Sequence, residues 1–224
     1  MHYFIFNDIN SNDLDIIVKD MPLVPLAERD IESISVRGRN GDFHIDNGTY
    51  RSKSYTISCI VKDISKIDLI KSNFVGSGKL LLSKYSDRYF IAIIKNQVDF
   101  EKYLNVLHDF PLQFELHPIA YNNSIEILEF NDSNSSFDIG GNVSIGPIVI
   151  VEGTGIVTIN NVALEVEESG IEIDCDLMNC TLNGLNANDK VILDEFPILK
   201  PKDNSIVLGD GITKVILNYR KGWL

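Results

Sequence analysis

Cysteine is scarce in this 224-residue chain. The three present, Cys59, Cys175 and Cys180, are odd in number and lack the spacing of a disulfide framework. A cross-linked secreted scaffold is therefore excluded, and folding in a cytoplasm is expected. No apolar run approaches the roughly 18 residues of a membrane-spanning helix, so no membrane partner is expected. The opening, Met1-His2-Tyr3-Phe4-Ile5-Phe6-Asn7-Asp8, has no basic region, and its apolar run is too short to read as a signal peptide. Basic residues are also few. Twenty Lys and Arg stand against 32 Asp and Glu, a net charge of -12 with a pI near 4.7. They form no stripe, which argues against specific binding of a phosphate backbone. The motifs of hydrolytic nucleophiles and zinc proteases are missing, and His2, His44, His108 and His117 stand in no nucleophile or metal context. Nothing argues for an enzyme. No catalytic, cofactor-binding or metal residue is assigned.

What is present suits packed cores. Hydrophobic residues make up 44% and charged residues 23%, ordinary values for a globular chain. At about 150 residues per domain the length holds one large or two medium domains. Tyr3–Asn7 and Leu14–Asp20 read as short strands around a turn-forming Asp8–Asp13. Pro22 and Pro25 mark an extended connection to a strand at Ile31–Val36. Asn-Gly signals at Asn40-Gly41 and Asn47-Gly48 bracket Asp42–Asp46, which predicts a β-ribbon excursion outside the core. Ser52–Lys62 alternates, with Tyr55, Ile57, Cys59 and Val61 on one face, and Cys59 reads as a core residue.

In Asp63–Phe74 the period changes. Ile64, Ile67, Ile70 and Phe74 recur at helical spacing, with Asp63 or Ser65 as a cap and Gly76 as a terminator. Lys79–Tyr85 and Arg88–Lys95 read as a hairpin, and Phe110, Leu112, Phe114 and Leu116 alternate in a last strand before His117-Pro118. Beyond a boundary at 118–124 the chain holds only short strand-like runs: Ile148–Val151, Ile156–Ile159, Ala163–Val166, Ile171–Cys175, Lys190–Leu193, Ser205–Leu208 and Lys214–Tyr219. That pattern suggests a β-sandwich. The fold class expected is mainly β, with domains at 1–120 and 121–224.

Three segments resemble chemical motifs and read more simply as structure. Val75-Gly76-Ser77-Gly78-Lys79-Leu80 lacks the first Gly and the Ser or Thr of a phosphate-binding loop, and a helix precedes it where a strand should. It reads as a helix-to-strand turn. Asp132, Asn134 and Asp138 space oxygens as calcium loops do, but Phe137 and Val143 stand where Gly and Glu are needed. A solvated interdomain loop is the reading there, with an incidental calcium site left open. Cys175 and Cys180, four residues apart and without a second ligand cluster, read as structural thiols. A sugar-binding sandwich would stack its ligand on an exposed aromatic. The only Trp, Trp223, sits beside Tyr219 and Arg220 at the end of the last strand, where packing against protein is the simpler role.

Several of these pieces, taken in order, resemble the distal tail (Dit) proteins of long-tailed phages. They are Val36-Arg37-Gly38-Arg39-Asn40-Gly41-Asp42, then Gly48-Thr49-Tyr50 and the strand Ser54–Val61, the helix followed by a hairpin, and Phe114-Glu115-Leu116-His117-Pro118. In the second half Gly141-Asn142, Pro147, Gly153-Thr154-Gly155, Ile173-Asp174-Cys175, Glu195-Phe196-Pro197-Ile198-Leu199 and Asn218–Trp223 follow in the family's order. The resemblance implies a tail-tube-like N-terminal sandwich with one helix and a β-ribbon arm, six copies of which close into a ring. It implies a galectin-like C-terminal sandwich, and tail-tube, tape-measure, tail-tip hub and receptor-binding proteins as partners. The ring would sit at the virion tail tip, assembled in the host cytoplasm, with DNA passing through unbound. Six copies at -12 sum to about -72, a field that would repel DNA in transit. The rival reading is a β-sandwich module binding cell-surface glycans; a metal-dependent hydrolase ranks third.

Overall fold

The computed structural model describes residues 2–61, 63–95, 101–104, 107–132 and 135–224. The chain divides into two compact units, one of 1–120 with Leu224 and one of 121–223. Both are β-sandwiches.

Unit one contains β1 (Phe4–Phe6), β2 (Ile9–Asn10), β3 (Ile16–Asp20), β4 (Arg29–Ile34), β5 (Phe43–Tyr50), β6 (Lys53–Val61), α1 (Ile67–Asn73), β7 (Gly76–Leu82), β8 (Arg88–Ile94), β9 (Glu101–Leu104) and β10 (from Leu107). The order along its main antiparallel sheet is β2-β1-β7-β8-β10-β6-β3. Alternation decides what it buries. Tyr55, Ile57, Cys59 and Val61 of β6 face inward, as do Phe110, Leu112, Phe114 and Leu116 of β10. In a flat sheet β1 and β10 would lie about 14 Å apart, three steps of ~4.8 Å. Instead the Phe114 ring lies 6.2 Å from Phe4 and 5.8 Å from Phe6. The sheet is therefore folded over on itself. Phe74, at the end of α1, fills the remaining space, 5.4 Å from Phe4 and 6.3 Å from Phe6.

The helix is shorter than its hydrophobic period suggested. Ile64–Lys66 is a 3-10 turn, opened by the Asp63 carboxylate accepting from the Ser65 N–H, and only Ile67–Asn73 is α-helical. Ser11–Leu14 is likewise a 3-10 turn, so β3 starts at Ile16 rather than Leu14. Lys62 lies outside the described residues. β10 does not stop before His117-Pro118 but continues to Asn122. Its pairing with β6 ends at Leu116 opposite Lys53, so the missing N–H of Pro118 costs no bond to that strand.

Unit two contains β11 (Glu126–Phe130), β12 (Ser135–Phe137), β13 (Ile148–Gly153), β14 (Gly155–Ile159), β15 (Val162–Val166), β16 (Ile171–Asp174), β17 (Asn179–Leu182), β18 (Leu185–Asn186), β19 (Val191–Leu193), β20 (Asn204–Leu208) and β21 (Ile212–Tyr219). One sheet runs β11-β21-β13-β16-β17-β18 and the other β12-β20-β14-β15-β19. Val149, Val151, Ile171, Ile173, Val215 and Leu217 from the first pack with Val157, Ile159, Leu164, Val166, Ile206 and Leu208 from the second. The buried Asn204 is fully used. Its Nδ2 donates to the Phe137 and Lys200 carbonyls, and its Oδ1 accepts from the Lys200 N–H and from Asn160 Nδ2. The seven strands expected here are all present with shifted ends.

The segment expected to be a solvated interdomain loop lies inside unit two. Ser135–Phe137 is a strand paired to β20, and the chain before it, Glu126–Phe130, is paired to β21. The polar composition of Asn131–Ser136 concealed a strand whose exposed side simply faces water.

Charge divides unequally between the units. Unit one has 16 acidic and 14 basic residues, net -2, whereas unit two has 16 acidic and 6 basic, net -10.

Candidate functional site

The residues suspected of chemistry are scattered. Strand β7 begins at Gly76, three residues before the expected Lys79, so the phosphate-loop lookalike is mostly strand and the helix-to-strand turn is confined to Phe74-Val75. Gly78 has a packing reason. The Asn7 side chain lies across it, Oδ1 accepting from the Lys79 N–H at 3.1 Å and Nδ2 donating to the Ser77 carbonyl at 3.3 Å. Cys59, Cys175 and Cys180 are buried free thiols. Desolvation raises all three, Cys175 to about 12, which removes thiolate character near neutral pH. Ser133 and Asn134 lie outside the described residues, and the Asp138 carboxylate accepts from the Asp203 N–H at 2.9 Å. Among the described residues no group of three His, Cys, Asp or Glu is gathered to hold a metal. No helix there is long and apolar enough to cross a membrane. Trp223 is half-buried.

The feature that stands apart is the ribbon β4–β5. It forms a sheet of its own, paired to no other strand among the described residues, and nearly every residue in it is exposed. A lone two-stranded hairpin is marginal in water, so local contacts must hold this one. At its base Arg29 Nε reaches the Asp46 carboxylate at 3.0 Å, and Arg29 Nη1 donates to the Tyr50 hydroxyl at 2.9 Å. Arg51 Nε and Asn47 Nδ2 both donate to Asp30, at 2.8 and 3.1 Å. Hydrogen bonds from Asn47 and Arg51 hold the Asp30 carboxyl below its usual range. The Gly48 N–H and Arg29 do the same for Asp46.

The second Asn-Gly is not a turn. Gly48, at φ +74°, sits inside β5 where the register slips between Arg29 and Ile31, so Asn47-Gly48 forms a bulge. The ribbon is also longer than Asp42–Asp46 suggested, because the bulge hides the alternation of its second half.

Register sorts the side chains onto two faces. Glu32 opposes Ile45 and Ile34 opposes Phe43 on one; Ile31 opposes Asp46 and Ser33 opposes His44 on the other. The second face is largely polar, with Ser33 Oγ and His44 Nδ1 hydrogen-bonded at 2.9 Å. That pair resembles a nucleophile and its base. The neighbouring Asp46 carboxylate is committed to Arg29 and Gly48, and the exposed ribbon offers no pocket for a reacting group. The first face is apolar. Ile34 is 39% exposed, Phe43 46% and Ile45 38%, with the Arg39 guanidinium 5.8 Å from the Phe43 ring centre. An exposed apolar stripe of this kind, stiffened at its base, is the sort of surface that a protein partner covers.

No family model matches the sequence, and no curated protein does. Among solved structures the chain is similar to the SPP1 Dit (gp 19.1) protein, described as a paradigm of the hub adsorption apparatus in phages infecting Gram-positive bacteria. The TM-score is 0.79 at 11% sequence identity, over 98% of this chain and 99% of that one. The whole two-unit fold is shared.

Proposed function

We propose that this chain is a phage distal tail protein, a non-catalytic subunit of a homohexameric ring at the tail tip. The observation that carries the reading is the end-to-end likeness in fold to SPP1 Dit, covering both units in the same order. The domain at 1–120 is the ring-forming one, and the domain at 121–224 is the galectin-like one projecting from it. The ring joins the tail tube and the end of the tape-measure protein to the tail-tip hub and its receptor-binding proteins, and DNA passes through it unbound. Assembly takes place in the host cytoplasm. The exposed ribbon supports this reading, since a closed homo-oligomer gives such an arm a surface to cover. The glycan-binding alternative needs an exposed aromatic platform, and the half-buried Trp223 is a poor one.

Electron microscopy of the purified protein, alone and with its tail-tube protein, tests the proposal. A six-fold ring with a central hole is expected, at about 151 kDa for six chains of 25.2 kDa. A particle that stays monomeric in both samples and binds glycans would overturn it.

A further inference from the structure

The ring reading leaves open which surface receives the arm, and the outer face of unit one carries a match. On β8, Ile91 and Ile93 point away from the core and are 42% and 41% exposed. Across the ladder from them, on β7, stand Lys79 and Ser77. The pad therefore has two rows, Lys79 with Ile91 and Ser77 with Ile93. The apolar face of the ribbon also has two rows, Glu32 with Ile45 and Ile34 with Phe43. Rows on one face of a strand repeat every two residues, about 6.7 Å, so both surfaces share one spacing. Their charges are opposite. Lys79 lies 5.0 Å from the Tyr89 ring centre, which holds its ammonium on the outer face beside Ile91, while Glu32 stands in the ribbon row with Ile45; Asp30, two residues before it on the same face, is already bonded to Asn47 and Arg51.

We propose that the apolar face of the β4–β5 ribbon docks on the outer face of β8 of a second copy of this chain. Ile45 and Phe43 cover Ile91 and Ile93, and Glu32 meets Lys79. This rests on the ring assignment and adds the surface and the orientation to it. Ribbon and pad are different patches, so the contact is head-to-tail and repeats around a closed ring. The opposite ribbon face, with Ser33, His44 and Asp46, stays in water. Covering the pad also removes from solvent two isoleucines that unit one leaves exposed.

Paired single-cysteine variants test it, because the native thiols are buried and do not compete. Ile45→Cys mixed with Ile91→Cys under mild oxidation should form the mixed disulfide about tenfold faster than Ile31→Cys mixed with Ile91→Cys, since a docked pair has a high effective concentration. Adding Glu32→Lys to the ribbon variant should slow coupling to the level of that control. Adding Lys79→Glu to its partner should restore it. Equal rates for the two ribbon faces, or no rescue by the second charge reversal, would overturn the proposal. Six-fold rings seen in the microscope alongside equal rates would reject this contact and leave the ring assignment standing. Fast, face-selective coupling without rings would do the reverse.

Discussion

Among the described residues, Lys53 is the lysine whose side chain the fold of unit one takes out of water, at 5% exposure. It opens β6 on the inner face, opposite Leu116, with its ammonium 5.9 Å from the Phe90 ring centre. Desolvation lowers its pKa. A polar group buried in this way costs about 1–3 kcal/mol in proteins; the lower end of that range, about 1–1.5 kcal/mol, applies, because a lysine can stretch its ammonium toward water. Lys53→Met keeps the apolar stem and removes the charge, so it should stabilise unit one by about 1–1.5 kcal/mol at pH 7. With a urea slope of about 2 kcal/mol/M for a unit of this size, the midpoint should rise by roughly 0.5–0.75 M. The sign of the pH dependence follows from the lowered pKa. The unfolded lysine holds its proton up to about pH 10.4 while the folded one releases it earlier, so the folded state gains stability as pH rises between those values. The advantage of the variant should therefore shrink toward pH 10. Cys59 and Tyr55, whose raised pKa values make alkali destabilising, are common to both proteins and cancel in the difference. Urea titrations at pH 7 and pH 10 measure the effect. A variant less stable than the parent, or a gain identical at both pH values, would refute the argument.

Phe74→Ala should cost unit one about 3–5 kcal/mol, because the ring is fully buried between Phe4 and Phe6; hydrogen exchange of the β1 and β10 amides reads the loss. At Gly78 an added Cβ would lie 1.6 Å from Asn7 Oδ1. Gly78→Ala should accordingly destabilise unit one, and adding Asn7→Ala should recover part of the loss, a coupling that a double-mutant cycle detects. The three cysteines should react slowly with an aromatic disulfide reagent at pH 8 and quickly in denaturant; fast reaction of the native protein would contradict their burial and raised pKa values.

Where one face of a segment meets a core, the sequence revealed it. Tyr55 through Val61, Phe110 through Leu116 and seven of the eleven strands β11–β21 of unit two are visible in the sequence, because burial on one side demands a period of two. Segments whose environment breaks that period were harder. The polar stretch around Ser135 forms a strand because β20 supplies its partner, and nothing in its composition announces pairing. Asn47-Gly48 has the composition of a hairpin turn yet forms a bulge, since Arg29 bonded to Asp46, and Asn47 and Arg51 bonded to Asp30, pin the slipped register across the two strands. The arm was legible as an excursion. Which of its faces is apolar depended on register, which a sequence does not display.

The same partition into units changes the electrostatic argument. A net charge of -12 per chain suggests a uniformly acidic ring, but the charge is not uniform: unit one carries -2 and unit two -10. If unit one builds the ring, six copies bring about -12 to it and leave about -60 on the six other units. Repulsion of DNA by the net charge of such a ring is then a weak effect. The near-neutral balance suits subunits that must approach one another closely, because like-charge repulsion would oppose closure. The acidic balance of unit two disfavours an anionic cell-surface polymer as its direct ligand, since a polyanion would meet net repulsion within the ~8 Å screening length of physiological salt. Adsorption to a charged envelope would then fall to a separate receptor-binding protein, with this chain as its mount.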